Sequence, residues 1–192
     1  MKLIFATHNQ HKLQEIKLLL PKSIDLVSLA DVNFKDDIAE TANTLKDNAL
    51  LKARCIYKKF NLNCFADDSG LEVEVLNGAP GVYSARYAGE NKSAEENIEK
   101  LLGEMQEKSD RTALFKTVIA VIIEGKVKVF DGVIKGTIAE QKMGEKGFGY
   151  DPIFVPEGHK QSFAQMGMEE KNKISHRAIA VNKFNAYLRQ II

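Results

Sequence analysis

The first half of the chain alternates short apolar runs with stretches of helical spacing. Residues 3–6 and 64–66 are unbroken apolar runs, which is typical of buried strands. Apolar residues recur at intervals of three or four positions in 13–20 and 45–60, which predicts helices, and the weak alternation over 24–28 indicates another strand. The resulting order of strand, helix, strand, helix, strand is that of an α/β protein.

The second half adds a hairpin and further helices. Two β-rich segments, 113–123 and 127–134, are separated by a short Gly-containing turn, which predicts a β-hairpin. Helical spacing predicts helices over 98–105 and 174–188, and 153–155 is typical of a short strand. We therefore predict an α/β fold with a mixed β-sheet flanked by helices, in which loops at the strand ends form a ligand cleft.

The composition is that of an ordinary globular protein. The chain has 192 residues, 44% hydrophobic and 28% charged, which suits a single domain over 1–192 with a substantial core. Basic residues number 27 and acidic residues 26, so no basic surface field argues for nucleic acid or an anionic membrane as partner. The apolar runs are too short for a membrane span or a signal peptide, and Cys55 and Cys64 fit neither a disulfide framework nor a zinc motif. We therefore expect a cytoplasmic protein.

One polar cluster lies between the first strand and the first helix. Its members are Thr7, His8, Asn9, Gln10, His11 and Lys12. The exposed N–H groups at a helix start, together with hydroxyl, amide and ammonium donors, suit an anion such as phosphate. The same residues suit simple helix capping equally well, so both alternatives stay open.

Adjacent carboxylates follow the apolar run 64–66. Asp67 and Asp68 repel each other, and a divalent cation would relieve that repulsion; Mg²⁺ prefers one or two carboxylates together with phosphate oxygens. Glu40, in the polar segment before the long helix, could supply another carboxylate. The alternative is an Asp-rich turn that simply ends the strand.

Two further clusters lie near the C-terminus. Phe148 stands between Gly147 and Gly149, so its ring could stack on a planar ligand, or it could belong to the core of a turn. Lys171 and the segment 175–177 supply cationic donors near the last helix, which suit carbonyl or phosphate oxygens of a ligand. The alternative is that these residues only cap the helix. Together the four clusters suit phosphates, a divalent metal and a flat ring rich in acceptors, which describes a nucleoside polyphosphate.

These segments, in this order, resemble the inosine triphosphate pyrophosphatase family, in particular its bacterial members that act on dITP and XTP. The resemblance extends over essentially the whole chain. The matching residues lie within 5–15, 40–53, 65–71, 78–87, 147–154 and 170–177. Two positions depart from the family pattern: His8 stands where Asn or Gly is usual, and Asp47 stands in place of Glu.

The resemblance implies a Mg²⁺-dependent enzyme. It would hydrolyse dITP, ITP or XTP between the α and β phosphorus, releasing the nucleoside monophosphate and pyrophosphate, and so cleanse the nucleotide pool. It also implies an elongated mixed sheet with two lobes, a central active-site cleft and a homodimer. The expected partner is the small-molecule nucleoside triphosphate, with no nucleic acid and no membrane.

Matching the family motifs position by position assigns the site residues. Asp68 would be the catalytic base and, with Glu40, would hold Mg²⁺. The triphosphate would be held by Thr7, Asn9, Lys12 and Lys52, and the other residues of the polar loop, His8, Gln10 and His11, would also bind the substrate. The remaining substrate contacts, chiefly to the base, would come from Ser69, Phe148, Gly149, Tyr150, Asp151, Lys171, His176 and Arg177.

Two other functions are compatible with a nucleotide site. One is a pyrophosphatase that clears methylated or pyrimidine nucleotides, although the purine-sized slot expected beside Phe148 argues against it. The other is a binding module without catalysis, which would need to lack the base or the metal ligands. Glu40, Asp68 and Lys12 are all present, which favours the enzyme.

Overall fold

The computed structural model describes residues 1–191 and contains an α/β arrangement of strands and helices. The described strands are β1 Lys2–Phe5, β2 Asp25–Val27, β3 Cys64–Val73, β4 Thr112–Ile123, β5 Lys126–Ile138 and β6 Phe154–Pro156. The described α-helices are α1 Gln10–Leu19, α2 Leu45–Phe60, α3 Ala94–Glu104, α4 Met168–Ile174 and α5 His176–Ile191. Short 3₁₀ helices cover Glu74–Leu76 and Gly81–Arg86.

The strands form one sheet in the order β2-β1-β3-β4-β5-β6. β1 pairs in parallel with both β2 and β3, with Phe5 opposite Phe65, whereas β5 and β6 are antiparallel. The predicted mixed sheet is therefore confirmed. The predicted hairpin is also confirmed, because β4 and β5 are joined by Glu124 and Gly125 with φ of 50° and 76°. Positive φ at both positions is typical of a type I′ turn, whose twist matches that of the strands it joins.

The structure corrects two predicted boundaries. β3 does not end in an Asp-rich turn after Ala66 but continues to Val73. The strand can continue because Asp67 and Asp68 are buried against cations that neutralise them. The predicted helix over 174–188 is divided between α4 and α5 by Ser175, whose ψ of 154° is extended.

The chain divides into two compact units. The first contains Met1–Asp68, Thr117–Gly132 and the chain from Arg177 onward, and the second contains Ser69–Lys116 and Val133–His176. Each unit has its own apolar core. The core of the first unit contains Phe5 and Phe65, whose rings stack at 4.5 Å. In the second, the core includes residues of β3, α3, β4 and the 150–166 segment. No helix in the described part of the chain has the length and apolar character needed to cross a bilayer.

Candidate active site

Charged side chains of the first unit gather beside β1 and β3. Because these strands are parallel neighbours, the backbone after β1 lies next to the first residues of β3, and the N–H of Ala6 donates to the carbonyl of Phe65 at 2.8 Å. We call the group the carboxylate–lysine cluster. It consists of Lys12, Glu15, Glu40, Lys52, Asp67, Asp68 and Arg177.

The polar loop after β1 caps α1. The side-chain oxygen of Asn9 accepts hydrogen bonds from the backbone N–H groups of His11 and Lys12 at 2.9 and 3.2 Å. The hydroxyl of Thr7 accepts from the N–H of Asn9 at 3.2 Å. The helix-cap alternative is therefore confirmed for Asn9, and the predicted phosphate contacts of Thr7, Asn9 and Lys12 stay predictions.

His8 is held by the segment that precedes Glu40. Its Nε2 lies 3.0 Å from the carbonyl oxygen of Asp36, and its ring lies over Phe34 at 6.1 Å. These contacts direct the ring toward residues 34–36. Gln10 and His11 are exposed on the first turn of α1.

A chain of ion pairs fixes Lys12. Its Nζ lies 3.1 Å from Oδ1 of Asp67, and Nε of Arg177 donates to Oδ2 of Asp67 at 3.2 Å. Nη1 of Arg177 pairs in turn with Glu15. Asp67 and Arg177 are each 1% exposed. Burial alone would raise the pKa of Asp67, but the cations of Lys12 and Arg177 outweigh it and hold that pKa well below its usual range.

Lys52 joins the remaining two carboxylates. Its ammonium pairs with Oε1 of Glu40 and lies 3.2 Å from Oδ1 of Asp68. Burial would lower the pKa of Lys52, but the two carboxylates raise it above its ordinary value, so the side chain is a cation. Burial raises the pKa of Asp68, an effect that Lys52 opposes and Glu40 reinforces. Asp68 is therefore a carboxylate with an increased affinity for protons.

The second carboxylate oxygen of Asp68, Oδ2, is available to a ligand. Oδ2 is buried and accepts no hydrogen bond from any residue that the structure describes. A buried polar atom left in this state costs about 1–3 kcal/mol. A hard cation or the hydrogen of a bound water would satisfy this oxygen, so Asp68 and Glu40 fit a divalent cation that prefers oxygen ligands.

Asn48 holds the backbone two residues after Glu40 and was not predicted as a site residue from the sequence. Its side-chain oxygen accepts from the N–H of Ala42 at 2.9 Å, two residues after Glu40. Asn48 lies four residues before Lys52 on α2, so both side chains lie on one helix face. The available signal was an amide within the apolar stripe of α2, where a fully buried polar residue requires a partner. Asp47, the departure from the family pattern, accepts from the Thr44 hydroxyl at 2.7 Å and belongs to the helix cap.

The second unit contains an aromatic and cationic cluster. Nζ of Lys171 lies 2.6 Å from Oδ2 of Asp151 and 5.0 Å from the centre of the Phe148 ring. The N–H of Phe148 donates to the same Asp151 oxygen at 2.9 Å. His176 stacks on Phe115 at 4.6 Å, and its ring lies 6.4 Å from that of Phe163, over which Nζ of Lys171 lies at 5.5 Å. We call Phe148, Asp151, Lys171 and His176 the aromatic–lysine cluster.

Four further residues that were predicted to contact the substrate lie outside the aromatic–lysine cluster as defined. The ring of Tyr150 belongs to the core of the second unit and its hydroxyl donates to the Ser84 carbonyl at 2.9 Å, and its predicted substrate contact stays a prediction. Ser69 is half-buried within β3, and Gly149 has a φ of 59°. The guanidinium of Arg177 pairs with Asp67 and Glu15, and its predicted contact with the base edge stays a prediction. The position of Arg177 next to His176 did not predict these partners, because consecutive side chains of a helix point roughly 100° apart.

Comparison with known proteins identifies the relatives of this chain. A protein from Christiangramia forsetii named dITP/XTP pyrophosphatase is 55% identical over 188 residues, covering 98% of this chain and 99% of the relative. A protein of the same name from Flavobacterium psychrophilum is 53% identical over 180 residues, covering 94% and 95% of the two chains. The solved structure of the Staphylococcus aureus Ham1 protein has a TM-score of 0.90 and 43% identity, with 100% of each chain covered. Residues 3–187 match the model of one family, and this chain therefore belongs to the Ham1 family.

Proposed function

We propose that this protein hydrolyses non-canonical purine nucleoside triphosphates, namely dITP, ITP and XTP, to the nucleoside monophosphate and pyrophosphate. In the cell this reaction would cleanse the nucleotide pool. The observation that carries the proposal is the pairing of the Lys52 ammonium with Glu40 and Asp68, beside a buried Asp68 oxygen to which none of the residues 1–191 donates a hydrogen bond. The names of the similar proteins support the substrate class.

We propose Mg²⁺ as the cofactor, held by Glu40 and Asp68. The described residues contain no group of three or more His, Cys, Asp or Glu arranged for a metal, so substrate oxygens and water would complete the coordination. One or two carboxylates with phosphate oxygens is the set that Mg²⁺ prefers. When bound, the ion would neutralise phosphate charge.

The cations of the first unit would hold the triphosphate. Lys12 lies in the first turn of α1, where the backbone N–H groups and the helix dipole also favour an anion. Asp67 holds the Lys12 ammonium in place at 3.1 Å. Lys52 would exchange one of its carboxylate partners for a phosphate oxygen when the substrate binds.

Asp68 would orient the attacking water. Its Oδ2 accepts no hydrogen bond from the described residues, so it can accept one from the water. Burial raises the pKa of Asp68, which strengthens its affinity for the proton that the water releases. Phosphoryl transfer depends mainly on positioning and charge neutralisation, so a stronger base is not required.

The aromatic–lysine cluster would recognise the base. The Phe148 ring would stack on the purine, and the donors Lys171 and His176 would meet the 6-oxo group of hypoxanthine or xanthine. Adenine presents a 6-amino donor at that position, which would leave a buried cation facing a donor. Sites built to pair a polar group strongly reject analogues that lack it.

We further propose a cytoplasmic homodimer, as the resemblance to the family implies. Sedimentation equilibrium of the purified chain measures the oligomeric state. A monomer at all concentrations would overturn this part of the proposal and leave the catalytic part standing.

Pyrophosphate release from dITP, XTP, dATP and dGTP tests the reaction and its specificity together. We expect fast release from dITP and XTP with Mg²⁺, and loss of release when EDTA is added. The Asp68→Asn protein is the matched control for contaminating phosphatases. Equal rates on all four substrates would overturn the specificity, and no release from any of them would overturn the reaction.

A further inference from the structure

One carboxylate in the second unit contacts both groups that would meet the base. Oδ2 of Asp151 accepts from the ammonium of Lys171 at 2.6 Å and from the N–H of Phe148 at 2.9 Å. The side chains of Lys171 and Asp151 are each 4% exposed. A charge-assisted pair at this depth is strong and fixes its members, because each charge would be costly to bury alone.

Gly147 leaves the space that this carboxylate occupies. A Cβ at Gly147 would overlap Oδ2 of Asp151 and lie 2.9 Å from its Cγ. The φ of Gly147 is +75°, a conformation that side chains also disfavour. The backbone of Gly147 and the side chain of Asp151 are therefore packed against each other with no room for a methyl group.

We propose that Gly147 and Asp151 are positioning residues for base recognition. The absence of a side chain at Gly147 admits the Asp151 carboxylate, and that carboxylate sets both the backbone of Phe148 and the ammonium of Lys171. One anion thereby fixes the stacking ring and the hydrogen-bond donor relative to each other. This inference rests on the proposed function, and it assigns Asp151 a role exerted through its neighbours rather than through its own contact with substrate.

The test compares ligands for the two ends of the substrate. We would measure by calorimetry the affinities of dIMP, which carries the base, and of pyrophosphate with Mg²⁺. We expect Asp151→Asn to weaken dIMP binding about tenfold or more, the loss of one charged interaction, with pyrophosphate binding within twofold of wild type. A general loss of structure would weaken both ligands, and an unchanged or tighter dIMP affinity would overturn the proposal.

A matched glycine pair isolates the role of Gly147. Gly158 also has a positive φ, +80°, but a Cβ there meets nothing within 4 Å. We expect Gly147→Ala to weaken dIMP binding as Asp151→Asn does, whereas Gly158→Ala leaves it unchanged. In an Asp151→Ala background the blocking carboxylate is gone and only the backbone strain at Gly147 remains, so Gly147→Ala should weaken dIMP binding less than it does in the wild-type background. An equal additional loss in that background would overturn the steric argument.

The outcome is distinguishable from failure of the proposed function. If the wild-type protein releases no pyrophosphate from dITP, the function fails irrespective of these variants. If the wild-type protein is active and Asp151→Asn binds dIMP normally, the positioning role alone fails. Should Gly147→Ala not fold, as judged by thermal unfolding, the Asp151→Asn result decides.

Discussion

Asp67 and Asp68 are consecutive residues of β3, yet their pKa values are displaced in opposite directions. Both are buried, and burial by itself would raise the pKa of each. For Asp67 the cations of Lys12 and Arg177 outweigh burial, whereas Asp68 shares Lys52 with Glu40 and has one oxygen to which no residue in the described part of the chain donates. Adjacent carboxylates displaced in this way divide into a permanent anion and a proton acceptor, a pattern common at catalytic sites.

Asp68→Asn should abolish most of the activity and preserve the fold. The variant keeps the shape of the side chain but removes the charge and the basic oxygen, so we expect turnover of dITP to fall by about 10²- to 10⁴-fold, the usual contribution of a general base. Pyrophosphate release measures the loss, and circular dichroism with thermal unfolding measures the fold. Turnover near that of wild type would show that Asp68 is not the base.

Asp67→Asn should mainly reduce the stability of the fold, in contrast to Asp68→Asn, which should mainly reduce activity. This substitution leaves Arg177 and Lys12 without a carboxylate that they share, and breaking such a buried network costs about 3–5 kcal/mol. We therefore expect a marked decrease in the free energy of unfolding in urea. Equal stability of the two Asn variants would contradict the division of roles between Asp67 and Asp68.

The stability of the protein should decrease in acid because of Asp67. Its pKa is lower in the folded protein than in the unfolded chain, where a value of about 3.9 applies. As the pH falls below about 4, the unfolded chain therefore takes up the proton first, and the stabilisation that is complete above this pH is progressively lost. Urea unfolding between pH 3 and 7 measures this dependence. Asp67→Asn should show a shallower decrease below pH 4, and an identical slope would contradict the prediction.

The periodicity of the sequence predicted the mixed sheet because apolar spacing directly reflects burial. It failed at Asp67 and Asp68, since a run of acidic residues is normally exposed and nothing local reveals cations that come from α1, α2 and α5. The same limitation applies to Arg177. Its partners Glu15 and Asp67 are 162 and 110 residues away in the sequence, and such long-range pairing carries no periodic signal.

The polar loop could be predicted from the sequence, but the sequence did not predict which of its residues cap the helix. Asn at the start of a helix predicts a cap as readily as an anion site, and only the observed bonds to His11 and Lys12 assign it as a cap. Asn48 shows the converse case. A buried amide in an apolar stripe signals a specific hydrogen bond, but the sequence does not reveal that its partner is Ala42.

Phe148→Ala should mainly raise KM for dITP. Loss of base stacking is worth roughly 1–3 kcal/mol, which corresponds to an increase of about 5- to 150-fold. The turnover number should change little because the ring contacts the base and not the reacting phosphates. Steady-state kinetics separate the two constants, and Phe148→Tyr, which keeps the aromatic face, should restore KM. An unchanged KM in the Ala variant would place the base elsewhere.

Lys52→Met should reduce catalysis and make the fold more dependent on a divalent cation. Without the ammonium, Glu40 and Asp68 face each other with uncompensated charge, so we expect a lower Tm in EDTA and a larger rise in Tm on adding Mg²⁺ than in the wild type. Turnover should fall by about 10²-fold or more, as when one charge-stabilising donor is removed from an active site.

Lys59→Met is the control for Lys52, because Lys59 lies on the same helix but pairs with Asp36 in an exposed position at 3.1 Å. Exposed ion pairs contribute about 0–1 kcal/mol, so its Tm should be close to that of the wild type and should respond to Mg²⁺ as the wild type does. A Mg²⁺ response in Lys52→Met no larger than in Lys59→Met would argue that Glu40 and Asp68 do not bind the ion together. The charge at Lys52 would then serve the triphosphate alone, and a loss of turnover with an unchanged metal response would distinguish that role.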